Sequence, residues 1–173
     1  MAAAIELRPL RTDDDRSTFS CGQPDLDRFL QHYAAQNQFK LHLAVTYVAA
    51  AKSHILGFAT VAASSLERAH LPSGQLRRRL PGYPLPVLRL ARLGVDTRAQ
   101  GKGIGRSLLR HVLRLALDQR DHLGCVGVVT DAKPDAIPFY ATFGFVPLKG
   151  VREGTLHGDL TPMFLAISTI AET

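Results

Sequence analysis

Residues 89–109, Arg89-Leu90-Ala91-Arg92-Leu93-Gly94-Val95-Asp96-Thr97-Arg98-Ala99-Gln100-Gly101-Lys102-Gly103-Ile104-Gly105-Arg106-Ser107-Leu108-Leu109, constrain this chain more than any other stretch. An apolar strand runs into a turn with glycines at 101, 103 and 105, and a helix begins inside that turn. Glycine lets a backbone approach a ligand closely, so several N–H groups can converge without side-chain interference. The first N–H groups of a helix have no intrahelical partner, and the helix dipole places partial positive charge there. A corner of this kind binds a phosphate or pyrophosphate. Lys102 and Arg106 add formal positive charge on either side.

Spacing separates the known uses of such a corner. The nucleotide-triphosphate loop needs a glycine five residues before its Gly-Lys pair and Ser or Thr directly after the lysine. Here Asp96 precedes and Gly103 follows. The dinucleotide fingerprint needs G-x-G-x-x-G straight after a strand. Here Arg98-Ala99-Gln100 intervenes, and the third glycine comes one residue early. The pattern (Gln/Arg)-x-x-Gly-x-(Gly/Ala) after a hydrophobic strand is matched position for position by Arg98-Ala99-Gln100-Gly101-Lys102-Gly103. That is the acetyl-coenzyme-A signature of the GNAT N-acetyltransferases, which this chain closely resembles.

The 173 residues suit one domain, 1–173, with a core of ordinary size. Hydrophobic residues at 46% and charged residues at 21% describe a folded chain, not a disordered one. Cys21 and Cys125 lie far apart and form neither a disulfide framework nor a metal-ligand pair, so no metal is expected. Met1-Ala2-Ala3-Ala4-Ile5-Glu6 lacks the basic and hydrophobic regions of a signal peptide. No apolar run approaches the ~20 residues of a membrane span, so the expectation is a cytoplasmic protein with no membrane partner. Twenty-one Lys plus Arg against 15 Asp plus Glu give a net charge of +6, which favours anionic partners.

The local patterns predict a mixed sheet. Ile5 to Leu10 reads as a strand, and Gln23-Pro24 opens a helix whose stripe is Leu26, Phe29, Leu30 and Tyr33. Leu41 to Ala50 and His54 to Ala63 read as a hairpin across Ala51-Lys52-Ser53. Ser64 to Pro86, rich in Pro and Gly, reads as a long structured loop. Val87 to Val95 is a strand, and Gly103 to Arg120 a helix buried along Ile104, Leu108, Val112, Leu115 and Ala116, with Arg106, Arg110 and Arg114 on another face. Gly124 to Thr130 is a strand, Pro134 to Phe143 a short helix, and Phe145 to Leu148 and Met163 to Ile167 the last strands. Strand–helix–strand–helix–strand over 87–148 predicts a largely parallel core there, joined to an antiparallel amino-terminal half.

A second segment, Ala136-Ile137-Pro138-Phe139-Tyr140-Ala141-Thr142-Phe143-Gly144-Phe145, matches the GNAT helix that carries Ala-x-x-x-Tyr and ends in Gly-Phe. The resemblance implies an α/β (α+β mixed) fold: a six- to seven-stranded sheet, about four helices and a splayed central strand pair. It implies that Tyr140 points its phenol at the coenzyme A sulfur as proton donor. It further implies that Leu93 and Val95 bond the pantetheine arm, and that Arg98, Gly101, Lys102, Gly103, Ile104, Gly105 and Arg106 form the cofactor corner. Many members carry asparagine seven residues before the tyrosine, where this chain has Lys133. No carboxylate lies in a recognisable general-base motif; Glu67 and Asp96 are the candidates.

Two further stretches narrow the resemblance. Phe19-x-Cys21-Gly22-Gln23-Pro24-x-Leu26-Asp27-x-Phe29-Leu30 and Leu80-Pro81-Gly82-Tyr83-Pro84-Leu85-Pro86-Val87-Leu88-Arg89-Leu90-Ala91-Arg92-Leu93 are similar to one GNAT branch. Its members are bacterial toxins, paired with ribbon-helix-helix antitoxins, that acetylate the amino acid on charged tRNA. The resemblance implies acetyl-CoA as co-substrate, aminoacyl-tRNA as acceptor, an antitoxin partner and a homodimer. Arg77, Arg78, Arg79, Arg89 and Arg92 are the candidate RNA contacts, arginine being suited to bidentate phosphate bonds. Two other readings fit the same cofactor motif: acetylation of a small-molecule or peptide amine, and a non-catalytic acyl-CoA-binding domain.

Overall fold

A computed structural model describes residues 4–148 and 159–170. Met1-Ala2-Ala3, at the start of the segment read for a signal peptide, lies outside them. The strands are β1 (Glu6–Pro9), β2 (Val45–Ala51), β3 (His54–Leu66), β4 (Leu85–Val95), β5 (Gly127–Ala132), β6 (Val146–Pro147) and β7 (Thr161–Ala166). They hydrogen-bond in the order β1-β2-β3-β4-β5-β7-β6. The helices are α1 (Pro24–Arg28), α2 (Ala34–Phe39), α3 (Gly74–Arg79), α4 (Ile104–His122) and α5 (Ile137–Thr142). A π-helical turn, Phe29–Tyr33, joins α1 to α2, so the described residues hold four separate helices, as predicted. The chain falls into two compact units. Among the described residues, one holds 4–62 and 90–112, and the other 63–89, 113–148 and 159–170.

In the first unit, β1 and β2 pair antiparallel, and β2 returns as β3 through the two residues Lys52 and Ser53. Alternation divides the sheet faces. Val48, Ala50 and Phe58 face a core built with Phe19, Leu26, Phe29, Leu30 and Ala34. Phe58 meets Phe19 edge-on at 5.4 Å and stacks on Phe29 at 6.3 Å. Gly57 faces the other way, where a Cβ would lie 2.9 Å from Ile104, 3.0 Å from Leu108 and 3.2 Å from the Gly94 carbonyl. The absent side chain is what lets the first turn of α4 lie directly on β3 and β4. Ile104, Leu108, Leu109, Val112 and Ala116 are buried, Leu115 is half-buried, and Arg106, Arg110 and Arg114 are exposed.

Two expectations for this unit need correction. Tyr33 is not part of the buried stripe: it is 50% exposed, and Ala34 takes the inward position. A π turn holds one more residue than an α turn, and this shifts the stripe by one. The strand expected from Leu41 begins at Val45. The amides of Lys40 and Leu41 bond Gln36 O, that of Leu43 bonds Asn37 O, and His42 has φ +55°. These residues close the carboxyl end of α2, as left-handed caps do, and so do not join the sheet.

In the second unit, Leu66, Leu71, Leu85, Val87, Val129 and Phe164 form the core. The expected long loop carries α3, whose first turn is capped by Ser73 Oγ accepting the Leu76 N–H at 3.3 Å. β5 begins at Gly127, because Gly124, with φ +99°, is used to close α4 through its N–H to Gln119 O. The predicted parallel core also needs correction. β7 lies between β5 and β6 and pairs antiparallel with both, through Thr130↔Met163 and Val146↔Phe164 among others. β5 and β6 are therefore not neighbours, although α5 connects them in sequence.

Gly57→Ala should lower the unfolding free energy by about 1–3 kcal/mol through overpacking. A urea titration checks this; an unchanged midpoint would show that α4 yields at no cost.

Candidate active site

The turn after β4 is fixed by one carboxylate. Asp96, 1% exposed in its side chain, caps the 3-10 turn Thr97–Ala99. It accepts the Arg98 N–H at 2.9 Å, both the Nε and Nη2 of Arg98 at 2.9 Å, and the Ser20 N–H at 3.2 Å. The Arg98 guanidinium leads these partners in holding the Asp96 carboxyl down at about 2, against the opposing effect of burial. Asp96 is thus a structural anchor and far too weak a base to deprotonate an amine. Arg98, the first residue of the cofactor motif, spends its guanidinium on this pair. Gln100 continues the anchoring, its Nε2 donating to Val95 O at 2.9 Å and Cys21 O at 3.2 Å. Ser20 and Gln100 were not singled out in the sequence, because a donor to a distant carbonyl or carboxylate leaves no local pattern.

Beyond the anchor, Gly101 and Gly103 take φ of +80° and +81°, which side chains rarely adopt, and a Cβ at either would meet nothing within 4 Å. The Ser107 N–H bonds Gly103 O at 3.0 Å, so the corner leads directly into the amino end of α4. Lys102 and Arg106 are exposed beside it. Open left-handed glycines, leading helix amides and two cations fit the pyrophosphate of a nucleotide cofactor. On β4, Leu93 and Val95 are half-buried and share the strand face opposite Gly94, whose Cβ position abuts Phe58 and Cys21.

Tyr140 belongs to the second unit. It sits in α5, 6% exposed, with Phe139 at 5.2 Å and Phe145 at 5.4 Å between ring centroids. Burial pushes its phenol up to about 12, opposed by a hydrogen bond with the Thr130 side chain. Thr130, buried on β5, is a partner the sequence did not single out; only the strand register places it.

The candidate RNA-binding arginines differ in setting. Arg77 donates to Leu71 O, while Arg77 and Arg78 line a cleft of about 480 Å³ with Arg68 and Glu67. Arg79 ends α3. Arg89 pairs with Asp131 at 3.3 Å. Arg92 is exposed and holds its guanidinium 4.3 Å over the Phe29 ring.

Residues 42–147 match the model of the acetyltransferase (GNAT) domain. This chain belongs to the GNAT acetyltransferases. It is 34% identical over 139 residues to a tRNA-acetylating toxin of Mycobacterium tuberculosis, spanning 80% of this chain and 82% of that protein. Among solved structures it resembles AtaT complexed with acetyl-methionyl-tRNAfMet, with a TM-score of 0.85, 25% identity and coverage of 96% and 97% of the two chains. It also resembles AtaTR bound with AcCoA, with a TM-score of 0.77, 28% identity and coverage of 96% and 95%. The seven-stranded mixed sheet with four helices is the fold these relatives share.

A carboxyl whose folded pKa lies below its unfolded value of about 3.9 stabilises the fold above that value, and the contribution is lost as pH falls through the folded one. Asp96 should therefore cost the protein stability between about pH 4 and pH 2. Asp96→Asn should be less stable at pH 7 and lose less across that window. Circular dichroism during acid titration reads the difference; parallel acid limbs would remove Asp96 as the anchor.

Proposed function

We propose that this chain transfers acetyl from acetyl-CoA to the α-amine of an aminoacyl-tRNA and acts as a translation-blocking toxin. The observation that carries the reading is its 34% identity, over 80% of its length, to a tRNA-acetylating toxin. The solved relatives with acetyl-methionyl-tRNA and with AcCoA support it. We further propose that the whole chain works as one acetyltransferase domain in the cytoplasm, as a homodimer restrained by a ribbon-helix-helix antitoxin.

In this reading the amides of residues 101–106, with Lys102 and Arg106, hold the pyrophosphate, and the backbone of Leu93 and Val95 holds the pantetheine. Val95 O already accepts from Gln100, which orients that peptide. When bound, acetyl-CoA supplies an activated acetyl group whose departing sulfur gathers negative charge. Tyr140 would offer that sulfur a hydrogen bond. A phenol at about 12 stays protonated throughout the working range, so it stabilises charge as a fixed donor. The amine would lose one proton and the departing sulfur would gain one, so the transfer balances with Tyr140 keeping its own proton.

The acceptor must be neutral to attack. An α-amine near ~7.7–8.0 is partly free at pH 7, whereas a lysine near ~10.4 is almost wholly protonated. Asp96, held at about 2, supplies no strong base to close that gap. An α-amine needs less help from a base than a lysine does, and esterification of its carboxyl withdraws electrons and makes it no more basic.

Tyr140→Phe should keep the fold and coenzyme A affinity while lowering kcat roughly 10²–10³-fold, as loss of a preorganised donor does. The wild-type kcat should show no alkaline fall attributable to this phenol below about pH 10, because it titrates near 12. Stopped assays across pH 6–10 (on the order of one unit per step) read both; wild-type turnover in the variant would remove Tyr140 from the chemistry.

Labelled acetyl-CoA offered to charged tRNA and lysine peptides together should label the tRNA-borne amino acid. Binding of tRNA should weaken with salt at a log–log slope of about −0.7 to −0.9 per phosphate neutralised, and replacing Arg77, Arg78 and Arg79 with Ala should flatten it. Label on lysine with charged tRNA unmodified would leave only the acetyltransferase.

A further inference from the structure

The π turn that displaces Tyr33 from the buried stripe has a second effect: it delivers that phenol to a cleft of about 410 Å³ lined by Asp25, Arg28, Phe29, Tyr33, Asn37 and Arg92. The volume falls within the roughly 300–1,000 Å³ of small-molecule sites. π-bulges inside α-helices are frequently found at functional sites.

The lining has the chemistry of a nucleotide site. The Arg92 guanidinium carbon sits 4.3 Å from the centroid of Phe29, and exposed Tyr33 supplies an aromatic face. Unstacked bases are held by these two kinds of surface. Asn37 carries the paired donor and acceptor that match the edge of adenine. Arg28 and Arg92 offer positive charge to a phosphate, and Asp25 an acceptor to a ribose hydroxyl.

The cleft also lies on the appropriate side of the sheet. Arg92 and Gly94 share a face of β4, and Gly94 looks toward Phe58 and Cys21, in the core beneath α1 and the π turn. The glycine corner leads into α4, which packs on the opposite face at Gly57. A ligand in the cleft is thus separated by the sheet from the helix whose amino end forms the corner.

We propose that this cleft binds the unstacked 3′-terminal adenosine of the acceptor RNA, stacking its base on Tyr33 and on the Arg92–Phe29 pair. The assignment rests on the aminoacyl-tRNA reading and adds the residues that seat the end of that substrate.

The probe is the trinucleotide cytidylyl-cytidylyl-adenosine, titrated by NMR into the full chain with and without saturating coenzyme A. Wild type should bind it equally well in both. Tyr33→Ala and Arg92→Gln should each weaken it by roughly 5- to 150-fold, the range of one lost stacking contact. Asn37→Ala should erode the preference for a 3′-adenosine over a 3′-uridine. Coenzyme A affinity and thermal midpoint should hold in all three variants, which separates a lost subsite from a lost fold. No binding by wild type, undiminished binding by both Tyr33→Ala and Arg92→Gln, or displacement of the trinucleotide by coenzyme A would overturn the proposal; the last would assign the stacking surface to the cofactor's own adenine. Acetylation of charged tRNA is read separately. Trinucleotide binding reports on the cleft whichever way that assay falls.

Discussion

A carboxylate taken out of water costs several kcal/mol unless its oxygens are bonded, and Asp96 answers that demand with donors from two places in the chain. Arg98 provides backbone and guanidinium N–H groups from two residues away, and Ser20 provides its amide from the segment before α1. The end of β4 is thereby tied to both. Gln100 adds a second tie, to Val95 O and Cys21 O, so Gly101 starts from a fixed point. Left-handed glycines are permissive by nature. Their usefulness here depends on rigid residues just upstream deciding where the permissive ones begin.

The same economy governs the sheet. At Gly57 the strand gives up a side chain so that α4 can approach, while its neighbour Phe58 carries the aromatic contacts of the other face. Two consecutive strand residues thus serve the packing on the two faces of the sheet. Tyr140 shows the complementary case: a polar group buried among aromatic rings, tolerable because Thr130 meets its hydroxyl. Desolvation there raises the phenol and keeps it a donor, a property that an exposed tyrosine would hold less firmly.

What could be read from the sequence followed the range of the forces involved. The glycine corner was legible because its requirement is local: positive φ and leading helix amides are written in consecutive residues. The burial of α4 was legible by periodicity, with Leu109 added and Leu115 only half included. Arg98 looked like a ligand group because its motif places it there; that Asp96 would claim it depends on how the turn folds back. Tyr33 was misplaced because a π turn has no spacing signature distinct from an α helix. The position of β7 between β5 and β6 is a pairing across a long stretch of chain, and neither apolar run announces it. Thr130 was missed for the same reason, since its role depends on which strand it lies beside and which helix comes over it.

That insertion has a bearing on time. β7 follows β5, α5 and β6 in sequence, yet it occupies the slot between the two strands. A ribosome delivers the chain from its amino end, and long-range pairs form late. The β4–α4 corner, whose contacts are all nearby in sequence or already synthesised, can be complete while the strand that closes the sheet beside Thr130 has yet to emerge. In a growing chain the residues of the corner are therefore all present before the strand that pairs with Thr130.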